Sequence, residues 1–305
     1  MQLLLEQILN GLQFGVTLLL MASGLTLVFG IMNLINLAHG SLFMVGAYAG
    51  ATVAMHSHSF MLAVAAGTAA AAVTGMIIEL GIMRRLYQRE HLDQVLATFG
   101  LILFFNEAVR MIWGRQPLSM DPPSWLAGTV TLLPGVPYPT YRLAVLVVGV
   151  AVAALLYVLV MRTRLGMRIR AGAVNRMMIN ALGVNIVVLY TLVFGLGAAL
   201  AGLAGVVAAP FIAIQAGMGE NILIMTFVVI IIGGIGSIRG AVVGALLIGV
   251  VDTLGQAYLP TLFGLWLPPA AADSAGTSLA TMAIYIVMAA VLAMRPQGLF
   301  GTRVA

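Results

Sequence analysis

A succession of apolar stretches, each close to the length of a bilayer-crossing helix, constrains this chain more than any other feature. A hydrocarbon core about 30 Å thick needs roughly 20 apolar residues in a helix. On that ruler the sequence predicts spans near 8–31, 41–56, 60–82, 94–113, 143–161, 186–208, 221–235, 241–258 and 278–294. The second and seventh are short, so eight complete crossings with a half-helix compete with nine. The expected fold is therefore all-α: a polytopic transmembrane helix bundle of eight to nine spans with broken helices. No segment reads as an independent soluble domain, which leaves one membrane domain over residues 1–305.

Composition excludes the main alternative. The chain is 62% hydrophobic and 8% charged, whereas soluble domains carry roughly 25% charged residues. All 14 basic residues are arginines and the net charge is +5. They cluster in loops between apolar spans, which fits orientation by the positive-inside rule and not a nucleic-acid-binding face. With nine crossings, Arg84, Arg85, Arg89, Arg162, Arg164, Arg168, Arg170, Arg176, Arg239, Arg295 and Arg303 fall on one side. Only Arg110, Arg115 and Arg142 remain at the other end, so the C-terminus is expected in the cytoplasm. Eight crossings would move only the N-terminus to the inside. The first apolar segment, from Ile8 to Ile31, has no basic residue before it and reads as a retained span rather than a signal peptide. There is no cysteine, so disulfides and thiolate metal sites are excluded.

Between the spans, 114–142 carries six prolines and should form an outer loop or shallow re-entrant element. A second outer loop is expected over 259–277, with Pro260, Pro268 and Pro269. Small residues at four-residue spacing mark close helix contacts: Gly197, Ala201, Gly205 and Ala209; Gly236, Gly240 and Gly244; Gly67, Ala71 and Gly75.

Two segments interrupt the apolar pattern with polar and glycine residues. Ile31 to Met44 reads IMNLINLAHGSLFM and places Asn33, Asn36, His39, Gly40 and Ser41 at membrane depth. Polar side chains there usually face a protein interior or a solute path, because exposing them to lipid is costly. The second is Gly233-Gly234-Ile235-Gly236-Ser237-Ile238-Arg239-Gly240. Interrupted hydrophobic segments in both halves of a chain point to a translocation path, where unwound backbone can bind a polar solute without an ionised side chain.

Other chemistry is sparse. There is no GxxxxGK[ST] phosphate loop, so the chain should not hydrolyse ATP, and no HExxH or GxSxG motif supports a membrane enzyme. His56 and His58 read as a solvated outer turn rather than a metal site, and no cofactor is expected. Glu79 stands near the inner end of span three, within reach of Arg84 or Arg85; Glu107 and Arg110 can neutralise each other at i and i+3. Asp252 has no arginine in its own helix; it would serve an ion-coupled carrier or form a structural hydrogen bond across helices. Loop 162–185 holds five arginines and no acid. It predicts a short cytoplasmic amphipathic helix carrying Met177, Met178, Ala181 and Leu182, suited either to setting topology or to docking in a groove on a cytosolic partner.

Four ordered stretches carry a resemblance. Gly24–Ala51 (GLTLVFGIMNLINLAHGSLFMVGAYAGA) resembles the signature of branched-chain amino acid ABC transporter permeases of the LivH type. Thr163–Ala171 with Ala181–Asn185 is similar to that family's cytoplasmic coupling segment, Gly233–Asp252 to its second glycine-rich segment, and Met294–Gly301 to its C-terminal end. The resemblance implies a passive channel half in the bacterial inner membrane. A second permease subunit, expected to be a relative rather than a copy, would pair with it. Two cytosolic ABC ATPases and a periplasmic solute-binding protein would complete the importer. Carried over by position, Asn33, Asn36, His39, Gly40 and Ser41, with Gly233, Gly234, Gly236 and Ser237, would line or gate the path. Arg164, Gly166, Arg168, Arg170, Ala171, Met178, Ala181 and Gly183 would receive the ATPase stroke. Two departures bear on this. Ser41 stands where many relatives carry an acid directly after His-Gly, which leaves urea, short amides and other carboxylates open beside branched-chain amino acids. Val174 and Asn175 replace acids common in the coupling segment, which implies a more acidic groove on the ATPase.

Overall fold

A computed structural model of the chain describes residues 2–32, 34, 36–133 and 136–301. Asn33 and Arg303, both singled out above, lie outside the described residues. Eleven helices are present among them when the continuous run Phe60–Leu86 is counted as one. In chain order they are α1 Gln2–Met32, α2 His39–Ser57, α3 Phe60–Leu86, α4 His91–Trp113, α5 Thr140–Arg162, α6 Arg164–Val174, α7 Arg176–Ala181, α8 Ile186–Ala208, α9 Met218–Gly233, α10 Ile238–Phe263 and α11 Pro269–Met294. Seven of these are long and apolar enough to cross a membrane: α1, α3, α4, α5, α8, α10 and α11. Helix α9 is apolar but only 16 residues long. Helix α2 has 19 residues and a polar first turn, and falls outside the seven.

Every expected span corresponds to a helix, and the differences lie at the ends. The outer loop expected over 259–277 is largely helical: α10 continues through Pro260 to Phe263, and α11 begins at Pro269. Pro260 sits in the last turn, where its missing N–H breaks a single ladder bond, and Pro269 occupies the first helical position, where no bond is lost. The stretch 114–142 is not simply irregular. It contains an antiparallel hairpin of β1 Thr129–Leu133 and β2 Val136–Pro139. Prolines at 137 and 139 are tolerated because a two-strand ribbon leaves one edge of each strand unpaired.

The chain gathers into two compact units, one of Leu20–Pro123 and Val150–Ile224, the other of Met1–Leu19, Ser124–Gly149 and Met225–Ala305. In the first, α2, α3 and α8 pack at backbone distance through the small-residue stripes. Gly46 lies on Gly202, Ala71 faces Gly202, Gly75 faces Ala198, and Gly205 lies against the Phe43 carbonyl. These two stripes thus serve internal packing, as does the third below, which gives helices the contact that apolar burial alone does not supply in lipid. In the other unit the Gly240–Gly244 stripe of α10 packs on α9, and Gly11 and Gly15 of α1 pack on Gly249 and Ala245. Tyr138 of the hairpin is fully buried there, and its hydroxyl donates to Asn10 Oδ1 at 3.2 Å.

Candidate functional site

The first break runs from the end of α1 at Met32 to the start of α2 at His39, so the helix continues through Gly30 before it opens. Among the described residues no side chain caps α2 in the usual way. Instead Asn36 turns the chain, its Oδ1 accepting from the Ala38 N–H at 3.0 Å. Asparagine favours such local turns because its short amide substitutes for a backbone acceptor. Asn36 and His39 are fully buried, and Ser41 nearly so. Gly40 lies against Gly219 so closely that neither residue has room for a side chain. The start of α2 and the start of α9 therefore meet backbone to backbone. The His39 ring rests on α1 beside Gly24 and Met21.

Polar satisfaction is incomplete here. Among the described residues, Asn36 Nδ2 has no hydrogen-bond partner, and neither do Ser23 Oγ and Thr26 Oγ1 of α1, while the buried His39 ring has only the Met21 backbone within reach. A buried polar group without a partner costs about 1–3 kcal/mol, and native interiors leave few of them. Several such groups gather around this one break. Ser23 and Thr26 escaped the sequence reading. Two hydroxyl residues three apart inside an apolar helix, just before a polar break, were the available signal.

The second break lies between Gly233 and Ile238. Gly234 and Gly236 hold φ of 98° and 81°, a left-handed conformation that glycine adopts at no steric cost. Ser237 caps α10, its Oγ accepting from the Gly240 N–H at 3.1 Å. Gly233 and Gly240 press on each other's carbonyls. The C-terminal stretch crosses this break: Leu299 N–H donates to the Ile232 carbonyl at 2.8 Å and Phe300 N–H to the Gly233 carbonyl at 3.0 Å. The carbonyls that end α9 are therefore already occupied. Sequence reading placed Met294–Gly301 only as a resemblance and missed this strap.

The arginine-rich segment forms two helices rather than one, because Asn175 leaves helical geometry to cap α7, accepting from the Met178 N–H at 2.9 Å. Gly166 is buried against the Val160 carbonyl, to which the Arg170 guanidinium also donates. Arg164, Arg168, Arg170, Ala171, Met178, Ala181 and Gly183 are exposed, and so are Val174, Met177 and Leu182. Gly183 ends the segment at φ 84°.

The ionisable residues inside the helices are mostly paired. Glu107 and Arg110 form a 3.4 Å ion pair on α4. Glu79 is fully buried and meets Arg84 at 3.2 Å. Asp252 is 9% exposed on α10, with Gln256 one turn along the same helix.

Against known proteins, the family described as "Branched-chain amino acid transport system / permease component" matches residues 7–293. The chain is 32% identical over 285 residues to the high-affinity branched-chain amino acid transport system permease protein LivH of Escherichia coli (strain K12), covering 84% of this chain and 87% of that one. It is 31% identical over 278 residues to LivH of Salmonella typhimurium, with the same coverage of each chain. It is 31% identical over 311 residues to the permease protein BraD of Pseudomonas aeruginosa, covering 97% of this chain and 95% of that one. No solved structure matches the chain.

Proposed function

The chain belongs to the family of branched-chain amino acid transport system permease components, and from that premise we propose that it is the membrane-embedded permease subunit of an ABC importer. The solute is a branched-chain or similar hydrophobic amino acid, moved into the cytoplasm across the bacterial inner membrane. Two separate cytosolic ATPases supply the energy, a related permease subunit pairs with this one, and a periplasmic binding protein delivers the solute. The whole chain acts as one permease domain with eight to nine crossings and a cytoplasmic C-terminus.

The observation that carries the reading is the first break, where the polar Asn36 and His39 are fully buried between two apolar helices and Asn36 Nδ2 has no partner among the described residues. Asn36, His39, Gly40 and Ser41 contact the passing solute, with Asn33 assigned to the same stretch from its place in the sequence. Gly233, Gly234, Gly236 and Ser237 contribute backbone shape at the second break. No titratable group has to cycle: neutral donors and acceptors suffice for a zwitterion's polar end, and apolar helix faces suit its side chain.

The exposed Met177, Met178 and Leu182 beside Arg164, Arg168 and Arg170 support docking of this segment into an acidic groove on the ATPase. Charge reversal at Arg168 and Arg170 is expected to lower ATPase association at least tenfold in pull-down titrations; unchanged association would remove the segment from the interface. The reading as a whole is tested by gentle affinity purification of the tagged protein from its native membrane. Two ATPases and a second permease should co-purify. Recovery of the chain alone, with uptake that survives ATP depletion but not collapse of an ion gradient, would replace the importer with an ion-coupled carrier.

A further inference from the structure

One buried ionisable group is used by none of the chemistry above. Glu79 is 0% exposed, and its carboxylate collects donors from three places in the chain. Arg84 donates through Nη2 to Oε2 at 3.2 Å and through Nε to Oε1 at 3.5 Å. The Tyr87 hydroxyl donates to Oε1 at 2.9 Å, and the Thr191 hydroxyl to Oε2 at 2.6 Å. Arg84 Nη2 also reaches Thr191 Oγ1 at 3.1 Å. A carboxylate at this depth is tolerated only when its lone pairs are filled in this way.

The backbone is shaped for the arrangement. Residues Glu79–Met83 of α3 form a π-turn, in which hydrogen bonds run from i to i+5 rather than i to i+4. Five residues along an α-helix lie about 140° apart at 3.6 residues per turn, so Glu79 and Arg84 would point away from each other. The wider turn brings them to one side. Such turns occur often at functional sites.

What the carboxylate joins is the point. Thr191 is in the second turn of α8, just after the arginine-rich segment. Its neighbour Tyr190 stacks edge-on against Tyr87, with ring centroids 5.2 Å apart and planes at 85°. Tyr87 also stands 3.7 Å from the sulfur of Met32, the last residue of α1 before the first break. Helix α6 lies on the same two elements: a methyl group on Gly172 would sit 3.5 Å from Leu189 of α8 and 3.9 Å from Ile31 of α1. The arginine-rich helix, the start of α8, the π-turn of α3 and the lip of the first break thus form one packed and hydrogen-bonded set.

We propose that Glu79 is a positioning residue that holds α6, α8 and the end of α1 in register, so that displacement of the arginine-rich segment reaches the first break; this rests on the importer reading. Arg84 and Thr191 hold the carboxylate toward α8, and Tyr87 carries the link to Met32. Burial and the Glu79 charge beside it keep the Tyr87 phenol above its ordinary pKa, so it remains a donor.

Two measurements on the same variants test it. Hydrogen exchange of the full chain in lipid nanodiscs needs no transport. Thr191→Val and Glu79→Gln should raise exchange at least fivefold in both 28–32 and 164–174, while leaving α10 and α11 within twofold. Thr191→Ser, which keeps the hydroxyl, should match the unaltered protein. Faster exchange confined to α3 and α8, or spread evenly over the chain, would overturn the proposal. In proteoliposomes containing the complete importer, radiolabelled leucine taken up per ATP hydrolysed should fall at least fivefold in Thr191→Val with ATP hydrolysis retained. A fall in uptake and hydrolysis by the same factor would also overturn it. Failure of the unaltered complex to take up solute on ATP would instead count against the importer reading, with the exchange pattern still deciding the role of Glu79. If Glu79→Gln does not fold, Thr191→Val and Tyr87→Phe carry the test.

Discussion

At the first break, between α1 and α2, Asn36 and His39 are fully buried, and Asn36 Nδ2 has no partner among the described residues. At the second, between α9 and α10, the backbone that opens is closed again: Leu299 and Phe300 fill the carbonyls of Ile232 and Gly233, and Ser237 caps the next helix. Both are interruptions in apolar sequence and both depend on glycine. They differ in what remains to be satisfied. An opening whose free carbonyls are filled from within the chain resists solvation and holds shape. One whose polar groups are left over pays an energetic penalty unless something polar enters. Under the importer proposal the first is the contact point for solute, and the second contributes backbone shape. Glycine content alone does not distinguish them.

Substitutions can break that comparison, and the largest effect is expected at the second break. Gly233→Val places a branched side chain against the Gly240 backbone and should cost about 3 kcal/mol, the upper range for overpacking a tight contact. Thermal unfolding in detergent would register this as a clear drop in midpoint. A variant with full stability would show that the contact is loose. Next comes Gly298→Val. Gly298 holds φ of 79° and touches Gly234, so a β-branched residue should cost about 1–3 kcal/mol. The loss should appear as a lower midpoint and faster proteolysis near the C-terminus.

The first break should respond in the opposite way. Asn36→Ala removes one hydrogen bond, to the Ala38 N–H, worth about 1 kcal/mol, and also removes an unpartnered nitrogen. Stability should therefore fall by about 1 kcal/mol or less, while solute uptake falls well beyond that. A parallel loss of both would make Asn36 a structural cap and nothing more. The smallest effect is expected at Asp252→Asn, where the isosteric amide keeps the contact with Gln256. ATP-driven uptake should stay within twofold, and loss of coupling to an ion gradient would revive the carrier reading.

How far the sequence reached depends on the scale of the signal. The nine apolar segments were legible because each is a long run of one property, and bilayer thickness supplies the ruler. The buried state of Asn36, His39 and Ser41 was legible because lipid excludes the alternative. The stripes on α3 and α8 were readable as packing surfaces, since small residues four apart have few other uses. Beyond this the signals are non-local. Nothing near Glu79 announces Thr191, which is 112 residues away, and the π-turn that lets Arg84 reach it has no residue signature. The strap of Leu299 and Phe300 over Gly233 acts through backbone atoms alone, so side-chain identity carries little trace of it. Pro260 and Pro269 misled for a simpler reason. Proline near a helix end removes few bonds or none, and the loop expected there is helical on both sides.

The central claim is that the buried polar groups of the first break handle the solute. The most direct measurement uses His39→Leu in the complete importer in proteoliposomes, following radiolabelled leucine uptake, ATP hydrolysis and thermal midpoint on one preparation. The account expects uptake to fall at least tenfold, with hydrolysis retained and the midpoint little changed, because a leucine replaces a buried polar ring with an apolar side chain of similar size. Uptake equal to that of the unaltered protein would contradict it and move the path away from the first break.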